Sequence, residues 1–239
     1  MVFRREALLH GVALAVLLDA ALLWQGSRVT EGHSRVVEAL LRLAGVAWEE
    51  GRELVLLPGV SVGLLRTTYL DYQAYPLYPW YCLAALMTLA ALAFRRCPAP
   101  LRPLLCLAPL SLGVTLLYLT VISPAVPYDP EDFSMIWYRG ETYLWLLLPW
   151  IFAVSLFALN VPLRLKMLWL SLLLLYSFLW SAIRLATALA TFHYLGSVWM
   201  PFFYFVFGFL ADFLYIVAFY SLAVDQAAGF LSKQREAWQ

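Results

Sequence analysis

Met167-Leu-Trp-Leu-Ser-Leu-Leu-Leu-Leu-Tyr-Ser-Phe-Leu-Trp-Ser-Ala-Ile-Arg-Leu-Ala-Thr-Ala-Leu-Ala190 holds twenty-four residues and one charge, Arg184. A transmembrane helix needs roughly 20 mostly apolar residues, so this stretch predicts a membrane-spanning helix. Five more stretches read the same way, approximately 7–24, 78–94, 104–122, 142–160 and 198–222. The whole chain of 239 residues is 64% hydrophobic and 13% charged, with mean hydropathy +0.79. A soluble domain carries about a quarter charged residues. The expected fold is all-α: a single integral membrane domain over 1–239, a polytopic bundle of about six transmembrane helices.

Breaks between the segments are marked by chemistry. Ser123-Pro-Ala-Val-Pro-Tyr-Asp-Pro-Glu-Asp132 is a proline-rich acidic loop, and Asn160-Val-Pro-Leu-Arg-Leu-Lys166 is a turn followed by charge. With both termini inside, the inner loops hold nine basic and three acidic residues, a net of +6. The outer loops hold six basic and ten acidic residues, a net of −4. The positive-inside rule therefore predicts an N-in, C-in protein of the cytoplasmic (inner) membrane. The first run, which follows Arg4 and Arg5 and contains Asp19, reads as a retained signal-anchor helix.

The outer segment 25–77 is the largest extramembrane piece. Over 33–46, Val36, Val37, Leu40, Leu41 and Ala44 share one face and Ser34, Arg35, Glu38 and Arg42 the other, predicting an interfacial helix. Gly51 to Val62 predicts a short extended segment ending in a turn at Pro58-Gly59. Tyr69, Tyr72, Tyr75, Tyr78, Trp80 and Tyr81 fit an aromatic belt at the outer boundary.

Charge inside a bilayer is costly, so Asp19, Arg184 and Asp212 each need a partner, a cavity or a function. Counted from the helix ends, Asp19 and Arg184 lie at similar depth and are expected to pair. Asp212 is expected to lie deeper, out of reach of Arg184, with Ser177, Tyr176 or Thr88 as partner. Cys82, Arg184 and His193 all fall toward the outer face. A thiol beside a cation is a nucleophile in waiting, with imidazole as acid and base; the plainer reading of Cys82 is an apolar filler. Cys82, Cys97 and Cys106 have no metal-ligand spacing, His10 and His33 none with His193, and no cofactor or metal is expected. A net charge of +1 argues against a nucleic-acid partner.

Leu40 to Gly59, and Ser181-Ala-Ile-Arg184 with Met200-Pro-Phe-Phe-Tyr204, resemble the outer segment and the Arg-bearing helix of the exosortase/archaeosortase family. These are multi-pass membrane cysteine transpeptidases that process C-terminal sorting tails of exported proteins. The resemblance implies Cys82 as nucleophile, His193 as general acid/base, Arg184 as the group stabilising thiolate or oxyanion, and an exported protein tail as partner. It also departs from the family: Cys82 is followed by Leu-Ala-Ala where the family has a small residue and Gly, and a strict alignment puts Thr67 to Asp71 at the nucleophile position, leaving no Cys there. The other reading is a non-catalytic integral subunit or assembly factor whose partners are the lipid bilayer and other membrane subunits; a small transporter component is a third.

Overall fold

The computed structural model describes residues 5–69, 77–93, 102–122, 129–157 and 162–236. Tyr72, Tyr75, Cys97 and most of the 123–132 loop lie outside the described residues.

The chain is mostly helical. Helix α1 spans Arg5–Leu43 and is followed by strands β1, Trp48–Leu57, and β2, Val60–Thr67. Helices α2, Tyr78–Ala93, α3, Arg102–Val121, α4, Pro130–Ser155, and α5, Leu163–Leu195, come next. The last rod opens with a 3₁₀ turn, Ser197–Trp199, and α6, Met200–Phe202; a π-helical stretch, Phe203–Leu210, then leads into α7, Ala211–Glu236. Among the described residues, three helical stretches are long and apolar enough to cross a membrane: Leu9–Leu43, Leu163–Leu195 and Ser197–Gly229. Pro79–Ala90 and Cys106–Val121 are shorter apolar helices.

The expected break between the first helix and the 33–46 helix does not occur. Both belong to α1, whose 39 residues extend roughly 58 Å, about twice the ~30 Å hydrocarbon core. No proline interrupts the run, so nothing forces the backbone out of the helix at residue 25. Termination comes only at Gly45, which takes φ +72°: its N–H bonds Arg42 O (3.1 Å) while Val46 N–H bonds Leu41 O (3.0 Å). That paired capping requires the left-handed conformation glycine adopts without penalty.

The extended segment is one arm of an antiparallel hairpin, so the fold is not purely helical. Trp48 pairs with Thr67 and Leu57 with Val60, with irregularities between Glu50 and Glu53 and between Val55 and Leu57. The hairpin folds back along α1. Ser27 Oγ donates to Gly59 O (3.0 Å) and Thr30 Oγ1 to Ser61 O (2.8 Å). A Cβ at Gly26 would stand 2.4 Å from Val60, so only glycine admits the hairpin tip this close. β2 buries Val60, Val62, Leu64 and Leu65, and Ser134 Oγ of α4 donates to Leu65 O (3.1 Å).

Helix α4 begins at Pro130, twelve residues before the expected segment at 142. Its start carries a full N-terminal signature: Asp129 accepts from Asp132 N–H (2.7 Å), proline follows, and Glu131 and Asp132 sit in the first turn. Glu131 also anchors the hairpin. The Arg52 backbone N–H and Nε each donate to Glu131 Oε1 at 2.9 Å, and this holds the Glu131 carboxyl below the usual carboxylate range. Glu131 is covered at contact range by these neighbours although Arg52 itself is exposed. A depressed folded-state pKa adds stability that is full above the ordinary value, about 4.5, and is lost as pH falls through the lower folded value. Protection of the hairpin amides against hydrogen exchange, taken relative to an unstructured chain at each pH, is therefore expected to fall below about pH 4.5 in the native protein and to show a smaller acid step in Glu131→Gln. Identical pH profiles for the two would remove Glu131 as the anchor.

Candidate functional site

On α4, Ser134, Trp137, Tyr138, Glu141, Trp145, Leu148 and Phe152 recur at three- and four-residue spacing, and all are buried. On α5, Leu170, Leu173, Ser177, Ser181, Arg184, Ala188 and Phe192 form the facing stripe. Where the stripes meet, apolar packing is interrupted by a polar cluster. Arg184, 1% exposed, donates from Nη2 to Glu141 Oε1 (2.7 Å) and to Asp212 Oδ1 (2.5 Å). Its Nη1 donates to the carbonyls of Phe207 and Gly208, the latter at 3.0 Å, and its guanidinium lies 5.0 Å from the Trp137 ring centroid. Ser181, one turn away, accepts from Trp137 Nε1 (3.2 Å) and meets His33 Nε2 (3.2 Å). Ser177 accepts from Trp145 Nε1 (3.2 Å) and meets Tyr215 Oη (2.9 Å).

Two depth expectations are corrected here. Asp19 does not pair with Arg184; Oδ2 accepts from Trp150 Nε1 (2.6 Å). Asp212, expected to be out of reach, is a direct partner of Arg184. The depth count treated the last helix as regular, but its 3₁₀ turn and π-helical stretch change how many residues fill a given length. α5 also runs on to Leu195, which sets Arg184 deeper than counted from residue 190.

His193 lies nine residues beyond Arg184 on the same unbroken helix, about half a turn round and roughly 13 Å along the axis. The two side chains therefore work at separate places. His193 Nδ1 stands 3.0 Å from Thr68 Oγ1 and 2.9 Å from Thr68 O, just past the end of β2. With the proton on Nε2, Nδ1 accepts from the Thr68 hydroxyl; with the proton on Nδ1, it donates to the carbonyl. Tyr194 sets its ring edge against the imidazole (centroids 4.7 Å, 78°) and donates from Oη to Ala44 O (2.8 Å), tying the end of α5 to the end of α1. Cys82 is exposed on α2 and has no hydrogen-bond partner among the described residues. The structure thus joins His193 to Thr68 and Arg184 to two carboxylates, and gives Cys82 no hydrogen bond to any of them.

Glu141 and His33 are not among the site residues that the sequence singles out, and Thr68 enters there only within Thr67 to Asp71, the stretch aligned with the nucleophile position. Starting the fourth segment at 142 left Glu141 in a loop, although the 134–137–138–141–145 spacing carries it into the core face. His33 is completely buried against Tyr138, Trp145 and Phe178. No local pattern around it announces that environment.

Two cavities flank these groups. One of about 590 Å³ between α1 and the hairpin is lined by Glu31, Glu38, Glu50 and Glu53. The other, an apolar groove of about 430 Å³, lies between Tyr118 of α3, Phe133 of α4 and Tyr204 and Phe205 of the last rod. Among the described residues no group of three or more His, Cys, Asp or Glu side chains is placed to hold a metal. Comparison of the chain with family models, curated proteins and solved structures finds no match.

Proposed function

We propose that the chain is an inner-membrane acyl-transfer protein of exosortase type, N-in and C-in, whose reacting pair is Thr68 and His193 on the outer side. The observation that carries this reading is the 3.0 Å contact between Thr68 Oγ1 and His193 Nδ1. It falls where the hairpin that includes the resembling outer segment meets the end of the resembling Arg-bearing helix. In the Nε2–H tautomer, Nδ1 takes the hydroxyl proton as Oγ1 attacks the scissile carbonyl. The imidazolium returns that proton to the departing amine, leaving an ester on Thr68 for an incoming nucleophile to resolve. The substrate class is the sorting tail of an exported protein. In this reading Arg184 organises the bundle and takes no part in the chemistry, and Cys82 is dispensable.

The test is co-expression with a reporter ending in a Pro-rich motif, an apolar helix and a basic tail, with processing followed by the reporter's size. Thr68→Val and His193→Ala are each expected to lower the processing rate about a hundredfold or more. Cys82→Ser is expected to process normally. Normal processing by Thr68→Val, or its loss in Cys82→Ser, would sink the assignment.

The second reading, a non-catalytic integral subunit, is favoured by the enclosure of Arg184 among carboxylates and carbonyls, an arrangement suited to architecture. It predicts a stoichiometric membrane partner on purification that Thr68→Val leaves bound.

A further inference from the structure

The π-helical stretch Phe203–Leu210 coincides with the carbonyls that Arg184 contacts. In an α-helix the Ala211 N–H would bond the carbonyl four residues back, Phe207 O. Arg184 Nη1 donates to that carbonyl, and the Ala211 N–H is shared between Val206 O and Gly208 O, the latter also accepting from Arg184 Nη1. The i→i+5 bond to Val206 is what defines the wider winding. Arg184 is in turn held by Glu141 of α4 and by Asp212 at the start of α7, in the last rod itself.

We propose that Arg184 is a register lock: by holding the Phe207 carbonyl it keeps Phe203–Leu210 π-helical, and its withdrawal lets the stretch rewind as α-helix and turn the Tyr204–Phe205 wall of the apolar groove. Rewinding by one residue rotates everything before it by about 100° relative to α7. Met200, Pro201, Tyr204 and Phe205 line the groove against Val114, Thr115, Tyr118 and Leu119 of α3, so the rotation changes its width. Phe203 packs on Phe192 at 5.8 Å between ring centroids, which links the same motion to the residue preceding His193. The switch concerns the shape of the bundle and holds whether or not Thr68 and His193 react.

Spin labels at Phe205 and Leu117, both exposed, report the distance across the groove mouth in protein whose three cysteines are replaced by serine. A pair at Leu117 and Tyr143 controls for the bundle as a whole. The informative variant combines Arg184→Met, Glu141→Gln and Asp212→Asn, which frees the carbonyl without stranding charge. In nanodiscs the 205–117 distance is expected to shift by roughly 5 Å or more, since the helix radius with side chains is about 5–6 Å, while 117–143 stays. If the triple variant does not assemble, Arg184→Lys replaces it. Lysine keeps the charge but its compact ammonium cannot serve two carbonyls and two carboxylates together, so a second distance population is expected. An unchanged 205–117 distance in the variant that folds overturns the lock.

Discussion

Arg184→Ala should lower the stability of the folded protein in mixed micelles by about 3–5 kcal/mol, the range for breaking a buried ion pair from one side. The cause is what remains. Glu141, 4% exposed, and the Asp212 side chain, 18% exposed, would face each other with no cation between them. Two backbone carbonyls and the face of Trp137 would lose their donor as well. Arg184→Lys should recover part of the loss, because one ammonium satisfies fewer acceptors than the guanidinium fork. Neutralising both carboxylates in the alanine background should recover most of the rest. SDS-driven unfolding followed by tryptophan fluorescence reads all of these. Wild-type stability in Arg184→Ala would show that the cluster is solvated and structurally idle.

Phe192→Ala is the second large effect, again expected at about 3–5 kcal/mol. Phe192 is fully buried, edge-on to Phe133 of α4 (4.9 Å) and to Phe203 of the last rod (5.8 Å). It is the point where three elements close on one another at the Gly196 end. Within a membrane, apolar side chains gain little by leaving lipid, and helices associate through close packing. A cavity at this junction therefore loses contacts that nothing replaces. Phe192→Leu should retain more than half of the stability. Equal losses for leucine and alanine would mean that ring geometry, and not volume, sets the contribution.

The two clusters were unequally legible in the sequence. Hydropathy and charge mark where helices lie, and the 33–46 amphipathic pattern marks the helix that the structure places there. What they do not mark is continuity. Trp24-Gln-Gly-Ser-Arg28 has the composition of a loop, yet it stays helical because its glycine and serine fit against the hairpin tip. Arg184 and Asp212 stand out as charges among apolar residues, but their pairing depends on a π-helical stretch that no local preference announces. Glu141 was within reach, since its place in the Ser134–Phe152 stripe is a matter of spacing alone. Thr68 falls within Thr67 to Asp71, the stretch aligned with the nucleophile position, but its partner lies beyond such reasoning. Its link to His193 spans 125 residues and exists only once α1, the hairpin and α5 have packed.

The order of the ion cluster along the chain bears on how the protein is made. Glu141 is synthesised 43 residues before Arg184, and Asp212 follows 28 residues after it. In chain order α4 and its carboxylate therefore precede the guanidinium of α5. The Glu141–Arg184 bond is thus the first that chain order allows, and Asp212 of α7 joins a pair already balanced in charge, accepting from the same Nη2.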